Sequence, residues 1–273
     1  MALARGAEAA RGLWAVVEVS SFQLETTDLP PDAFAAAAIL NLQEDHLDRH
    51  GTAAAYHALK RKLLAFARVA VDGSAPGGAP PTHALYAGCY FDNPALAANA
   101  DAAVALLRAA GLGDAEIAAA FARFEPLPHR FQTVCVADGV TWVDDSKATS
   151  LAALAAGVRM ALARFGAKRV RLVAGGLPKG DNPNSVISLL QSGVEKVYLI
   201  GRCAEQFGSV WRSAVACEAC GGLEQAVKAA RRDAASGDCV LLSPGAASFD
   251  QFQNYSERGE RFAALAKRKE AER

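Results

Sequence analysis

The chain has 273 residues, of which 52% are hydrophobic and 21% charged; the composition excludes bulk disorder and the length suits two domains. Basic and acidic side chains balance at 29 each, so there is no electrostatic basis for nucleic acid as the main partner, because such binding depends on neutralising phosphates. The distribution is uneven, with 9 basic against 14 acidic residues in 1–126 and 20 against 15 in 127–273, and a modestly basic second part suits small anionic substrates. No apolar run approaches the ~18 residues of a membrane span, and the start MALARGAEAARG lacks the unbroken hydrophobic segment of a secretory signal. A cytoplasmic protein without a membrane partner is expected. The six cysteines, Cys89, Cys135, Cys203, Cys217, Cys220 and Cys239, read as reduced thiols. The pair at Cys217 and Cys220 has no second pair and no histidine at metal spacing, so it reads as incidental.

In chain order, Leu13–Val19 and Ala35–Leu42 are short apolar runs followed by polar residues, expected as buried parallel strands with the chemistry at their C-terminal ends. A helix is expected from Thr52 to Ala67 with Thr52 as its N-cap. The Gly- and Pro-rich Asp72–Pro81 reads as a linker, and the Ala- and Leu-rich Ala95–Ala110 as a helix. The punctuation Glu125-Pro126-Leu127-Pro128 places a domain boundary between 126 and 127. Beyond it, strands are expected at Val140–Val143, Val170–Ala174, Val194–Ile200 and Cys239–Leu242, with helices at Leu151–Phe165, Asn184–Leu190 and Leu223–Ala235. That alternation predicts an α/β domain with a mostly parallel sheet and right-handed crossovers.

Glu18 closes the first expected strand and His46 lies just past the second. A carboxylate and an imidazole at neighbouring strand ends are able to share a divalent cation, although from spacing alone acidic residues after a strand are more often helix caps and solvated loops. Lys60, between His57 and Lys62 on the expected helix, reads from its position as part of a solvated face. In the second part, DDSKATS (144–150) lies between a strand and a helix, so its amides, hydroxyls and Lys147 are expected to form an anion cradle. AGGLPKGDN (174–182), with Lys179 at its tip, and LLSPGAASFDQFQNYSERG (241–259) repeat the strand-to-loop form. In the latter, Ser248 and the amides of Ser248 and Phe249 are candidates to receive a carboxylate. Three such loops on one sheet edge predict a ligand site. A serine-hydrolase elbow is excluded, since G-x-S-x-G is absent and no histidine follows His129; the dinucleotide fingerprint G-x-G-x-x-G is absent too.

Together EVSSFQLE, ILNLQEDHLDRHG, LPHRF, DDSKATS, the GG…KG loop and SPGAASFDQFQNYSERG, in that order, resemble the Mur ligases, most closely the member that adds D-glutamate. The resemblance implies an ATP-binding central domain, here in part (1–126), followed by a Rossmann-like C-terminal amino-acid-binding domain (127–273). It implies ATP-dependent amide synthesis in peptidoglycan formation, in which a carboxylate of UDP-N-acetylmuramoyl-L-alanine takes the γ-phosphate of ATP to give an acyl phosphate that the amine of D-glutamate attacks. By the same resemblance, Glu18, His46 and a carbamylated Lys60 would hold Mg²⁺, with Lys60 and His46 counted as catalytic, and Arg130, Asp145 and Lys147 would contact ATP. Thr149, Lys179, Ser248 and the Phe249 backbone would grip D-glutamate, with Tyr255 packed nearby. A monomer is expected.

The sequence also departs from the family pattern. No G-x-x-G-K-[ST] phosphate loop and no uridine-nucleotide-binding domain precede Glu18, Ala95-Leu96 stands where a His-Asn pair is usual, and Gly245 stands where a cysteine is usual. The chain therefore reads as a shortened ligase from which little or no activity is expected in isolation. The alternative is a non-catalytic ligand-binding module derived from such a ligase; a folate-type glutamate ligase matches SFQLE and SPGAASFDQF less well.

Overall fold

The computed structural model describes residues 14–42, 47–74 and 82–268. The chain divides into two compact units, one of Met1–Asp92 with Leu96–Phe124, the other of Asn93–Ala95 with Glu125–Arg273.

In the first unit, residues 14–20 form no regular element. Trp14 is 60% exposed and Val16 99% exposed, which corrects the expectation of a buried strand over Leu13–Val19: strand propensity is realised only where a paired and packed neighbour receives the side chains. Helix α1 (Ser21–Thr26) follows because Ser20 and Gln23 close a capping box, the Gln23 amide donating to Ser20 Oγ and the Ser20 amide to Gln23 Oε1. Strand β1 (Phe34–Ile39), α2 (Leu47–His50), α3 (Ala53–Ala65) and β2 (Ala67–Asp72) form a parallel β–α–β crossover, with Phe34 opposite Ala67 and Ile39 opposite Asp72. Thr52 caps α3 by accepting the Ala55 amide at 3.2 Å. The helix ends two residues sooner than the sequence suggests because β-branched Val69 and Val71 pair ARVAVD with β1 instead. Helices α4 (Ala97–Ala109) and α5 (Asp114–Ala122) enclose a small core of Tyr86, Ala100, Val104, Ile117 and Phe121.

The second unit is built on one sheet: β3 (Gln132–Ala137), β4 (Val140–Asp144), β5 (Val170–Gly175), β6 (Val194–Ile200), β7 (Ala216–Gly221) and β8 (Cys239–Leu242), in spatial order β3-β4-β8-β5-β6-β7. Every neighbouring pair is parallel except the β3–β4 hairpin. Helices α6 (Leu151–Phe165), α7 (Ile187–Gly193) and α8 (Ala204–Trp211) cover one face, and α9 (Leu223–Asp233) and α10 (Tyr255–Lys267) the other. The α9–α10 side buries Trp142, Val173, Tyr198, Ile200, Val227, Leu242 and Phe262 in one cluster, while the central strands β4, β5, β6 and β8 are nearly continuous apolar runs, as a sheet covered on both faces requires. The last strand, β8, inserts between β4 and β5, so the segments that follow β4, β5 and β8 emerge side by side at the carboxyl edge, where open α/β sheets bind ligands.

Candidate functional site

Two successive acids end β4. Asp144 is 1% exposed; its Oδ2 lies 2.7 Å from His129 Nδ1, and its Oδ1 accepts the Ser146 amide at 2.9 Å. Asp145 accepts the Phe131 amide at 3.2 Å and the Ser243 hydroxyl at 2.8 Å. Burial pushes the Asp145 carboxyl up to about 7, the neighbouring Asp144 adding to the rise while the Ser243 and Phe131 donors and the Arg130 charge oppose it. On α6, Gly157 makes room for this carboxylate, since a Cβ there would meet both Asp145 Oδ2 and Ser243 Oγ. Both oxygens of Asp145 thus serve the protein's own loops. Arg130, exposed between the half-buried His129 and the buried Phe131, lies close enough to Asp145 for their charges to interact. His129 and Phe131 both sit in the left-handed region, with φ of 64° and 46°, a strain of roughly 1–3 kcal/mol per residue that surrounding contacts must offset.

Much of the cradle expected at the start of α6 is taken up by the protein's own acceptors. The Leu151 amide goes to Asp181 Oδ2 at 3.1 Å, the Ala153 amide to Ser150 Oγ, the Ala148 amide to the Asp145 carbonyl and the Lys147 amide to the His129 carbonyl. What this loop does offer is side chains. Lys147 Nζ lies 4.1 Å from the centre of the Tyr255 ring, and the exposed Lys179 donates to Thr149 Oγ1 at 3.3 Å. The third loop runs back against the second: Leu177 and Ala247 exchange amide–carbonyl bonds at 2.8 and 3.1 Å, and Gly176, with φ 140°, must lack a Cβ because one would strike the Ala247 carbonyl. Ser248 is buried and Phe249 is 69% exposed. Thr149, Lys179 and Ser248 are therefore carried by three adjoining loops, and Lys147 and Tyr255 are brought into contact.

One side chain missed in the sequence ties these loops together. Arg258 on α10 is 1% exposed and donates to Ser146 Oγ, to the Ser146 carbonyl and to the Ala246 carbonyl at 2.9, 2.9 and 3.2 Å, so one guanidinium fastens the loop after β4 to the loop after β8. Burial brings its pKa down to about 10, with Asp250 and Asp144 opposing the drop. His129, Asp144, Ser243 and Gly157 were likewise missed as a connected group. The only local signal was the adjacency of PHRF and DDS to two strand ends, and nothing in their spacing says that the two segments meet.

Residues 3–73 match the model of the Mur ligase middle domain and residues 129–245 that of the Mur ligase glutamate ligase domain. The chain belongs to the Mur ligase family. The chain is 39% identical, over 93% of its length, to the UDP-N-acetylmuramoylalanine--D-glutamate ligase of Frankia casuarinae, and 36% identical, over 98%, to that of Thiobacillus denitrificans. It spans 61% and 63% of those two proteins, about three-fifths of the curated relatives' length. Its fold is similar to that of the E. coli FolC protein in complex with DHPP and ADP, with a TM-score of 0.59 and 21% identity, covering 85% of this chain and 61% of the other.

The candidate magnesium residues stand differently. Glu18 is exposed in the irregular stretch before α1, not at a strand end, and His46 lies outside the described residues. Lys60 Nζ sits 5.3 Å from the Tyr56 ring centre. Among the described residues no three histidine, cysteine, aspartate or glutamate side chains converge as a metal site. The first unit instead shows a tie between α1 and α2: His50 Nε2 lies 3.1 Å from Ser21 Oγ, its Nδ1 lies 3.2 Å from Glu25, and Arg49 grips Glu25 with three contacts of 2.6–3.1 Å. The Arg49 hydrogen bond holds the Glu25 carboxyl below its ordinary range. Burial raises the Cys217 thiol and pushes Cys220 up to about 11, which disfavours the thiolate that a metal or redox role needs.

Proposed function

We propose that this chain supplies the D-glutamate site and part of the nucleotide site for the ATP-dependent joining of D-glutamate to UDP-N-acetylmuramoyl-L-alanine in peptidoglycan synthesis, with little or no activity in isolation. The observation that carries the reading is the 36–39% identity, along nearly the whole chain, to relatives named as D-glutamate ligases of that acceptor. The geometry supports it. An α,γ-dicarboxylate needs two anion-accepting points a few ångströms apart, and Lys179 with Thr149 supplies one while Ser248 on the adjoining loop supplies the other. The amine is thereby held at the carboxyl edge, an arrangement that raises its effective concentration toward an activated acyl group.

ATP supplies the phosphoryl group that turns the acceptor carboxylate into an acyl phosphate. Arg130 and Lys147 are the cations this unit offers to the nucleotide, as point charges that stabilise transferring negative charge. Asp145 acts in this reading mainly by ordering the loop that carries them. Mg²⁺ is the ion expected with ATP, but the Lys60 ammonium is no metal ligand until carbamylated, and the described surroundings of Glu18 and Lys60 do not fit an ion as they stand. Among the described residues no helix is long and apolar enough to cross a membrane; we place the reaction in the cytoplasm, where ATP is available, with the chain acting as a monomer.

Calorimetric titration of the full chain with D-glutamate and with L-glutamate tests this. D-glutamate should bind in preference, and Lys179→Ala should weaken it about tenfold, or ~1.4 kcal/mol. No heat from either enantiomer with the folded chain, or an affinity untouched in both Lys179→Ala and Ser248→Ala, overturns the assignment.

A further inference from the structure

Arg130 is the middle residue of a turn held at both ends by acids. At one end the His129 imidazole meets Asp144 Oδ2 at 2.7 Å; at the other the Phe131 amide donates to Asp145 Oδ1 at 3.2 Å; and the Lys147 amide closes the turn on the His129 carbonyl at 3.1 Å. Asp144 is itself fixed, its second oxygen taking the Ser146 amide, and Ser146 is in turn clamped by Arg258. Helix α10 leaves space for the His129–Asp144 bond only because residue 259 is glycine: a Cβ there would run into His129 Nδ1 and lie 2.6 Å from Asp144 Oδ2. The His129 ring also stands edge-on to Tyr255, 6.2 Å between centres, and Tyr255 carries Lys147 on its face. A left-handed backbone at 129 and 131 is unfavourable for side-chain-bearing residues, so the turn depends on these attachments.

We propose that Asp144 is a positioning residue for nucleotide binding: acting through His129, it locks the 129–131 turn so that Arg130 is presented at the carboxyl edge of the sheet. The inference rests on the reading above that Arg130 contacts the nucleotide. Asp144 touches no reacting atom. Its contribution is to replace a mobile arginine by one whose backbone is fixed before the ligand arrives, which lowers the ordering cost of binding.

The test uses the full chain and ADP with Mg²⁺ as the calorimetric probe, beside backbone ¹⁵N relaxation of residues 129–131. Arg130→Ala should weaken ADP at least tenfold. Asp144→Asn, whose side-chain oxygen can still accept the Ser146 amide, should weaken it about fivefold and raise the mobility of the 129–131 amides, and it should have no further effect in a His129→Ala background, since the oxygen that reaches the turn does so through that ring. Gly259→Ala, which leaves both partners in place but intrudes on their bond, should reproduce both effects, and it also stands in if Asp144→Asn fails to fold. Rigid 129–131 amides in both the Asp144 and Gly259 variants, or full additivity of Asp144→Asn with His129→Ala, overturn the proposal even where Arg130→Ala has lost affinity. Full ADP affinity in Arg130→Ala, with the turn loosened as expected in Asp144→Asn, overturns instead the reading on which it rests, and the functional part of the proposal with it.

Discussion

The two units use the same α/β grammar to different depth. In the second, a six-stranded sheet lies between helical layers, and β4, β5, β6 and β8 bury almost every residue. In the first, β1 and β2 pair only with each other among the described residues, Ala37, Ile39 and Val71 are the buried residues of the pair, and Val16 and Val17 stand open to solvent. A parallel sheet is stable when both faces are covered, and a two-stranded one is marginal. The lesson is that an apolar run specifies a strand only together with the neighbours that bury it.

The sharpest test of this contrast compares two apolar truncations. Trp142→Ala empties the α9–α10 side of the large sheet and should cost about 3–5 kcal/mol in urea unfolding followed by circular dichroism. Val16→Ser, at a residue 99% exposed, should change stability by no more than about 0.5 kcal/mol; equal losses would show that residues 14–20 are packed in solution and would break the comparison. Next in size, Arg258→Met should cost about 2–3 kcal/mol, because it leaves the Ser146 and Ala246 carbonyls buried without donors. A neutral result in the same unfolding experiment would mean that water or another donor satisfies them.

These residues also show what the sequence discloses. Strands β6 and β8 and helix α6 can be read directly, because the VYLI of β6 and the CVLL of β8 are unbroken apolar runs and LAALAAGVRMALARF has a clear helical stripe between turn residues. Strand β7, ACEACG, has no β-branched residue and is recruited by pairing with β6. Helix α10, YSERGERFAALAK, hides behind a glycine and four charges, and its buried arginine defies the usual expectation that charge lies outside. Strand β2 lies between the expected end of a helix at Ala67 and an expected linker from Asp72, and only its pairing with β1 reveals it. For the site, the loops could be found from their glycines, serines and lysines at strand ends. Which amides remain unbonded could not, since Asp181 reaches the start of α6 from thirty residues away in sequence.

Among the buried groups, the smallest effect expected concerns Asp145. Its carboxyl is raised from 3.8 to about 7 by burial, so between about pH 4 and 7 the folded chain holds a proton that the unfolded chain has released. Stability from this group is therefore full below about pH 4 and is lost as pH rises to about 7. Asp145→Asn, neutral throughout, should remove that slope and raise the melting temperature at pH 7.5 by about 3 °C or less. A variant that melts lower at pH 7.5 than wild type, with the slope unchanged, would show that the ionised carboxylate is the form the fold prefers.

Gly259 carries a historical consequence. Because its missing Cβ is the space in which His129 meets Asp144, the three positions are not free to change in any order. A lineage that acquires alanine at 259 first must pass through a broken pair, whereas one that first shortens the residue at 129 or 144 can accept the alanine later at little cost. Substitutions at these sites should therefore be strongly non-additive, as contacting residues generally are, and descendants of this chain should vary at 259 only in company with the other two.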